Sequence, residues 1–302
     1  MRPWWLVVAL AGCGDHGEPA PPTVTCDGPD VRGLPAISVV ADATHVYWND
    51  GHGVVVRAPL GGGEPEGIAK IDGNTRGMAI DATSVYVAGG CQGQLWKVDK
   101  STGAAISLVK IALEGSDSCI HGVTVDDEFA YFTTNTVSRV PLGGGFFQAL
   151  PAVPPGGGCS SAIVLVGDAL AWTECSNEIH TMARIGGPVQ IVLQDASFEA
   201  LATDGESVYF VSGGEIRKQT GATQSTIGPA AGAVALAVDS TSVYWAAAAN
   251  EVQLGGVHRT TIATGAVTEL ATTDRDHVGI AVDSSRVYFG GGTGCPVESV
   301  AK

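Results

Sequence analysis

The chain of 302 residues is long enough to bury a large core, either as one repetitive domain or as two average ones. Its 42 glycines, its low content of charged residues (16%) and its many Val-x-Val alternations favour short β-strands joined by tight turns over long helices. Sixteen basic residues against 31 acidic ones give a net charge of −15. A surface of that charge repels phosphate backbones, so the composition argues against nucleic-acid binding and against polybasic membrane binding.

The N-terminus has the features of an export signal. Trp4 to Ala11 form an apolar run that is too short to span a membrane as a helix, and the quartet Leu10-Ala11-Gly12-Cys13 completes it. This quartet resembles the bacterial lipobox, which implies cleavage before Cys13 and acylation of that cysteine. Because Gly14 rather than Asp follows, the resemblance favours the outer membrane where the host has one; the alternative is a cytosolic start that happens to be apolar. We predict a lipoprotein signal peptide at 1–12, a flexible tether at 13–22 and a globular domain at 23–302.

An internal repeat runs through the domain, because each of the six tyrosines lies five residues after an aspartate. A seventh copy fills the one gap in the series, with Val166 in the aspartate slot and Ala171-Trp172 in place of the tyrosine and the bulky apolar residue that follows it. The six pairs are Asp42 and Tyr47, Asp81 and Tyr86, Asp126 and Tyr131, Asp204 and Tyr209, Asp239 and Tyr244, and Asp283 and Tyr288.

Each repeat unit is predicted to form four antiparallel strands: a run ending in Ala-Val-Asp, a run around Val-Tyr-Trp, a third like Val-x-Arg-Val-Pro-Leu, and a fourth ending near Leu-Ala. The Asp-x-Thr or Asp-x-Ser after the first run is typical of a turn capped by a side chain. One such sheet cannot bury both of its faces, whereas seven around an axis can. We therefore predict an all-β, seven-bladed β-propeller whose second-strand aromatic residues form the core between blades.

Two stretches resemble known propeller repeats. Ala-Asp-Ala-Thr-His-Val-Tyr-Trp-Asn-Asp at 41–50, followed by Val-Val-Arg-Ala-Pro-Leu-Gly-Gly at 55–62, resembles the YWTD repeat of lipoprotein-receptor propellers. Gly77-Met78-Ala79-Ile80-Asp81 with Val85-Tyr86-Val87 is similar to an NHL repeat. The resemblance spans nearly all of residues 36–302 and implies propeller architecture. Members of both families mostly bind other proteins, so it also implies a binding role.

The last unit supplies only three strands, so we predict that Pro22 to Thr25 provide a fourth and close the ring in the seventh blade. With Cys13 acylated, six cysteines remain, and an even number is typical of disulfides in an exported chain. A metal site is the alternative, but no Cys-x-x-Cys pair or His cluster occurs. All six cysteines map to loops on one face of the ring, and the pairs we predict are Cys91 with Cys119, Cys159 with Cys175, and Cys26 with Cys295.

The usual enzyme signatures are missing, since the sequence contains no Gly-x-Ser-x-Gly, no Gly-x-x-x-x-Gly-Lys and no His-Glu-x-x-His. The glycine triplets at 61–63 and 143–145 lack the lysine and helix of a phosphate-binding loop, so we interpret them as turns. Asp274-Arg275-Asp276 lacks the rest of an EF-type calcium loop. We predict no cofactor and no metal ion.

One set of ionisable residues is a candidate ligand-binding site. The residue five positions before each repeat aspartate begins an innermost strand near the mouth of the central channel. That slot holds Arg76, His121 and Glu199, and His277 is one residue off the same level. Convergent ionisable groups around a concave mouth are a default ligand site. The alternative is that loops between blades carry polar side chains because they are solvated.

These features predict a monomeric, non-enzymatic binding or scaffold module that presents one propeller face to a protein or a glycan outside the inner membrane. In this interpretation the membrane is contacted only through the lipid anchor. The first alternative is a propeller enzyme, a lyase or a hydrolase, with its site at the channel mouth, because this fold hosts both kinds of function. The second is a purely structural component of the cell envelope.

Non-reducing peptide mapping of the exported protein checks the cysteine pairing. We expect three cross-linked peptide pairs, joining Cys91 to Cys119, Cys159 to Cys175 and Cys26 to Cys295, all of which disappear on reduction. If Cys26 were joined to any cysteine other than Cys295, the predicted disulfide between the two ends of the ring would be wrong.

Overall fold

In a computed structural model of the chain, the described residues are 23–24, 36–60, 62–111, 119–150, 160–174, 178–194, 200–247, 255–273, 279–290 and 297–302. They form 28 β-strands joined by turns, and no helix occurs among them. In particular, the described part of the chain holds no helix of the length and apolarity needed to cross a membrane. The strands group into seven sheets, which confirms the predicted all-β, seven-bladed propeller.

The sheets are numbered as blades 1 to 7 in chain order, and consecutive strands run antiparallel from the innermost strand outward. Strand β1, Thr23–Val24, precedes them. The strands of blades 1 to 4 are β2 Ser38–Ala41, β3 His45–Asn49, β4 Val54–Pro59 and β5 Glu66–Lys70; β6 Met78–Ile80, β7 Ser84–Ala88, β8 Gln94–Asp99 and β9 Ala105–Lys110; β10 Val123–Val125, β11 Phe129–Thr133, β12 Val137–Pro141 and β13 Gln148–Ala149; and β14 Ser160–Val166, β15 Ala169–Glu174, β16 Glu178–Ala183 and β17 Gln190–Gln194. Those of blades 5 to 7 are β18 Leu201–Thr203, β19 Val208–Ser212, β20 Glu215–Thr220 and β21 Thr223–Pro229; β22 Ala233–Val238, β23 Ser242–Ala247, β24 Gly255–Thr261 and β25 Val267–Thr273; and β26 Gly279–Val282, β27 Arg286–Gly290 and β28 Glu298–Ala301.

The ring is closed by apolar packing between blades. Each innermost strand packs beside the innermost strands of its two neighbours, and β2 of blade 1 packs against β26 of blade 7. The buried apolar side chains of the described residues form seven clusters, one at each junction between neighbouring blades. Every repeat tyrosine is buried in the junction with the following blade, as predicted for the inter-blade core. Burial of such large rings is a main source of stability in a sheet-based core.

The N-terminal strand does not complete the seventh blade, so that prediction is wrong. Strand β1 instead pairs in parallel with the outer strand of blade 6, with Thr23 opposite Thr272 and Val24 opposite Thr273. Among the described residues, blade 7 has three strands. Closure does not need a shared blade, because Val39 of blade 1 packs directly on Ala281 and Tyr288 of blade 7.

The two ends of the ring differ in the turns they carry. The upper face is the end of the ring that carries the linkers between blades and the loops between second and third strands. The lower face carries the turns that join first to second strands and third to outer strands. The repeat aspartates lie at the lower face, where each innermost strand ends, and Arg76 and His121 lie at the upper face, where two innermost strands begin.

At the lower face, each repeat aspartate joins its turn to the tyrosine of the same blade. One carboxylate oxygen of Asp81 accepts the backbone N–H groups of Thr83 and Ser84 at 2.7 Å each. The other accepts the hydroxyl of Tyr86 at 2.7 Å. We call this arrangement the Asp–Tyr clasp. It recurs in blades 3, 5, 6 and 7.

The clasp keeps its aspartate ionised. Burial alone would raise the pKa of Asp126, but the N–H groups of its turn, the Tyr131 hydroxyl and Arg184 lower it below the ordinary value. Burial and the neighbouring carboxylate raise the pKa of Tyr131 to about 12. The tyrosine hydroxyl is therefore a permanent donor to the carboxylate, so its burial at the junction costs little.

Three repeat aspartates receive a cation from the following blade. The residue directly after the third strand of the next blade supplies it: Lys100 Nζ lies 2.8 Å from Asp42, Arg184 Nη1 2.7 Å from Asp126, and Lys302 Nζ 2.6 Å from Asp239. Each cation thus joins two neighbouring blades at the lower face. Lys100 is almost completely buried and also donates to the carbonyl of Asp81 at 2.6 Å.

Replacing Lys100→Met keeps the apolar stem but removes the cation. We expect the free energy of unfolding at pH 7 to fall by about 1–3 kcal/mol, because the partly buried carboxylate of Asp42 loses its ionic partner. Since the folded state lowers the pKa of Asp42, this contribution is complete above the unfolded value of about 4 and is lost as the pH falls below it.

Denaturant unfolding at pH 7 and in acid measures this difference. Lys110→Met is the matched control in the same blade, because Lys110 is exposed. An equal loss in the control, or a loss for Lys100→Met that does not shrink in acid, would contradict the assignment.

Candidate functional site

The innermost strands of all seven blades surround a central channel of about 270 Å³. The described residues that line it are apolar or small, and none of them is ionisable. Gly77, Gly122 and Gly279 are among them, at the upper ends of three innermost strands. Among the described residues, charged groups near the channel therefore lie at its rim and not in its wall.

Arg76 and His121 lie together at the upper mouth of the channel, each directly before a glycine of the lining. The N–H of Gly77 donates to the carbonyl of His121 at 2.9 Å, so blades 2 and 3 are hydrogen-bonded at this point. A Cβ atom on Gly77 would lie 2.8 Å from that carbonyl oxygen and 3.2 Å from the Cα of Gly122. Glycine therefore permits the close approach that brings Arg76 beside His121.

The backbone of Arg76 is held from both sides, while its side chain is exposed. Its N–H donates to the carbonyl of Ala88 at 2.8 Å, and the Asn49 amide Nδ2 donates to its carbonyl at 2.7 Å. The other end of the Asn49 amide accepts the hydroxyl of Thr75 at 2.8 Å. Asn49 and Thr75 are buried, so two satisfied polar side chains fix the base of the exposed guanidinium.

The surroundings of His121 favour the neutral form of its imidazole. The side chain is half-buried, and burial together with the positive charge of Arg76 lowers the pKa of His121 below its ordinary value. Arg76 stays protonated at any physiological pH. Among the described residues, the mouth thus presents a permanent positive charge beside an imidazole whose neutral form has both donor and acceptor capacity.

A disulfide fixes the segment that leads to His121. Cys91, in the hairpin loop of blade 2, is bonded to Cys119, two residues before His121, which is one of the three predicted pairs. Next to it, the Ile120 N–H donates to the carbonyl of Gly90 at 2.9 Å. The upper ends of blades 2 and 3 are therefore linked covalently and by backbone hydrogen bonds on both sides of the candidate site.

The structure brings together two of the four predicted mouth residues, Arg76 and His121. Glu199 and His277 lie outside the described residues, and so does the Asp274-Arg275-Asp276 segment. The lipidation residue and the other predicted disulfide cysteines are also outside them, namely Cys13, Cys26, Cys159, Cys175 and Cys295. Within the described ranges, no three His, Cys, Asp or Glu side chains are grouped so that they could hold a metal ion.

Sequence reasoning missed the polar residue that follows the aromatic pair of the second strand. Besides Asn49, this slot holds Thr133, whose hydroxyl accepts the N–H of Gly122 at 2.9 Å, and Thr173, whose hydroxyl accepts the N–H of Ala162 at 3.1 Å. In each case a buried side chain satisfies the backbone at the start of an innermost strand. The available signal was a polar residue immediately after Tyr-Trp, Tyr-Phe or Ala-Trp in an otherwise apolar run.

A second group of buried ionisable residues lies in blade 4, away from the channel lining. Trp172 Nε1 donates to Glu174 at 2.9 Å, and His180 Nε2 is 2.9 Å from the carboxylate of Glu178. The His180 ring lies 5.6 Å from the Trp172 ring, and Trp172 packs in the junction between blades 3 and 4. This position is typical of a histidine that contributes to packing.

Comparisons with known proteins show the fold alone. No family model matches the sequence, and no curated protein matches it. A streptogramin B lyase structure is similar with a TM-score of 0.74 at 16% identity, over 90% of this chain and 94% of that one. A nidogen/laminin complex gives 0.62 at 16% over 79% and 98%, and a gluconolactonase from Xanthomonas campestris gives 0.54 at 14% over 75% and 85%. Propellers of this shape thus include enzymes and a protein found in complex with another protein.

The electrostatic coupling at the mouth can be measured by NMR titration of His121. We expect its pKa to lie below the ordinary histidine value and to rise in Arg76→Gln, because the neighbouring positive charge is gone. The rise will be partial, since burial is the larger cause of the lowered pKa. Arg217→Gln in blade 5 is the control and should leave it unchanged. A pKa that does not respond to Arg76→Gln would show that the two side chains are not neighbours.

Proposed function

We propose that this protein is a non-enzymatic binding module of the cell envelope, anchored through acylated Cys13. Its upper face accepts an acidic group of a protein or glycan ligand at the channel mouth. The single observation that carries the proposal is the pairing of an exposed guanidinium with a neutral imidazole, Arg76 with His121, above an uncharged channel. Guanidinium is the side chain best suited to a carboxylate or sulfate group, because its planar fork donates two parallel hydrogen bonds.

The charge of the rest of the protein supports the proposal. The chain carries a net charge of −15, so an exposed arginine would ordinarily find a carboxylate partner nearby. None of the ion pairs and hydrogen bonds found among the described residues uses the Arg76 guanidinium. A positive group fixed by a rigid base and left open to solvent is preorganised for an anionic ligand.

A glycan array probed with the purified protein tests this function. We expect binding to acidic saccharides to be lost, by about tenfold or more in affinity, in the Arg76→Ala/His121→Ala double variant. Arg217→Ala is the matched control, because its guanidinium lies 3.7 Å from Glu215 in blade 5 and not at the mouth. Pull-down from solubilised membranes with the same three proteins covers protein ligands. A ligand that the double variant binds as tightly as the wild type does would contradict the proposal that Arg76 and His121 form the binding site.

A propeller enzyme is the second candidate, favoured by the neutral imidazole at the mouth. A histidine that is uncharged at neutral pH is suited to act as a general base, and two solved propellers of similar shape are named as a lyase and a gluconolactonase. Incubation with streptogramin B and with gluconolactone distinguishes the candidates. Turnover that is abolished in His121→Ala and retained in Arg217→Ala would replace the binding proposal, which expects no turnover.

A further inference from the structure

Exposed apolar side chains are concentrated on one side of the ring. Among the described residues, five of the six large apolar side chains that are exposed belong to blades 2, 3 and 4. Three of them lie at turns between third and outer strands on the lower face: Phe146 is 99% exposed, Phe147 42% and Ile185 78%. Solvated phenylalanine at the tip of a turn is unfavourable in water, so this surface needs an explanation.

The turns of blades 3 and 4 that carry these side chains are neighbours. The Arg139 guanidinium donates to the side chain of Gln148, the residue after Phe147, at 3.1 Å. The same guanidinium donates to the carbonyl of Arg184, the residue before Ile185, at 3.4 Å. One side chain therefore spans both turns, and Phe146 and Ile185 lie on one surface. Phe147 borders this surface, with its ring packed edge-on against Phe132 at 6.0 Å between centroids. We call the three side chains the apolar patch.

The backbone of the turn after the third strand of blade 3 directs Phe146 towards solvent. The N–H of Gly144 donates to the carbonyl of Pro141 at 2.9 Å, which closes the turn after the third strand of blade 3. Gly144 and Gly145 have φ angles of 85° and 124°, in the region that residues with a side chain rarely adopt. The glycine triplet thus projects Phe146 from the ring in place of folding it back onto blade 3.

The path of the chain leads to the face that carries the patch. Strand β25 runs from the lower face to the upper face, and β1 pairs with it in parallel, so the chain enters β1 from the lower side. The ten residues of the predicted tether, 13–22, span at most about 35 Å when fully extended. If Cys13 is acylated, the tether therefore holds blade 6 close to the bilayer, and the bilayer lies on the side of the lower face.

We propose that the lower face lies on a lipid bilayer, with Phe146, Phe147 and Ile185 inserted at the boundary between headgroups and acyl chains. The mouth with Arg76 and His121 then opens away from the membrane. This goes beyond the expectation that the membrane is contacted only through the anchor, and it rests on the anchored function proposed above. The patch adds a second membrane contact to the lipid anchor, and this contact sets the orientation of the ring on the bilayer.

The charge around the patch selects the lipid. Asp127 and Glu128 are exposed in the turn of blade 3 on the same face. In the corresponding turn of blade 4 the side chain of Asp168 is 96% exposed, and Arg184 Nη2 lies 3.5 Å from it, so the carboxylates outnumber the cation. These carboxylates oppose an anionic membrane surface but tolerate zwitterionic headgroups. Apolar insertion beside acidic residues therefore predicts stronger binding to phosphatidylcholine and phosphatidylethanolamine than to phosphatidylglycerol.

Vesicle flotation with unlipidated protein tests the patch independently of the anchor. The protein is residues 13–302 with Cys13→Ser, which retains every described strand, and the vesicles are phosphatidylcholine/phosphatidylethanolamine with or without phosphatidylglycerol. We expect weak binding to the zwitterionic vesicles and less with phosphatidylglycerol. Phe146→Ser/Ile185→Ser should lower the partition coefficient at least about tenfold. Ala231→Ser, which changes an exposed residue in the linker between blades 5 and 6 on the upper face, is the control.

The variants should fold normally, since the substituted side chains are exposed, and their melting temperatures verify this. Equal partitioning of wild type and double variant, or no binding by either, overturns the docking proposal. Concentration-dependent self-association that the double variant abolishes also overturns it, because the patch would then join copies of this chain. Mass analysis of the Cys13 peptide from the exported protein tests separately whether Cys13 is acylated. The glycan array tests separately whether Arg76 and His121 bind a ligand.

Discussion

The structure depends on the burial of a tyrosine ring at nearly every junction between blades, with its hydroxyl bound to an aspartate. A four-stranded sheet has two apolar faces and no partner of its own, so each blade is stable only beside its neighbours. The ring of the tyrosine fills the junction, while its hydroxyl needs an acceptor that water can no longer provide. The carboxylate that caps the adjacent turn meets that need. Turn geometry, blade packing and closure of the ring are thereby satisfied by the same pair of side chains.

The same arrangement separates the two faces of the ring chemically. Repeat aspartates, tyrosines and cations satisfy one another at the lower face, so these groups are occupied by the fold. At the upper face the innermost strands begin, and their backbone is satisfied by short polar side chains such as Asn49 and Thr133. The ionisable groups placed there are consequently available for a ligand. Glycines at this level let blades 2 and 3 approach closely enough to bring Arg76 and His121 together.

The number of blades could be predicted from sequence because the Asp–Tyr spacing is set within one blade, by a turn and one strand. The repeat also supported the prediction that Cys91 pairs with Cys119, because the strand assignment in each unit placed both cysteines in loops on one face of the ring. The position of the N-terminal strand could not be predicted in this way, because the outer edges of blades 6 and 7 both offer backbone groups to a short strand and local pattern does not distinguish them. Asn49 was missed for a related reason: its partners, Thr75 and Arg76, lie in the linker to the next blade.

Blade 4 shows that the aspartate and the tyrosine of a clasp occur together. It also shows that the cation bound to an aspartate comes from the following blade. Val166 and Ala171 replace its aspartate and tyrosine, and Thr181 stands opposite Ala171 where most other blades have a basic residue opposite the tyrosine. Blade 4 differs from the other blades at all three positions, and this is consistent because an aspartate without its tyrosine would be a partly buried carboxylate without its hydroxyl donor. Arg184 is nevertheless present in blade 4, because its ionic partner is Asp126 of blade 3. In blade 5 the equivalent position is Gly221, next to a blade that has no aspartate to bind. Wherever this position holds a cation, its ionic partner is the aspartate of the preceding blade, so the pair joins two blades. The aspartate alone does not require the cation, because the same position in blades 1, 3 and 6 is Leu60, Leu142 and Ile262.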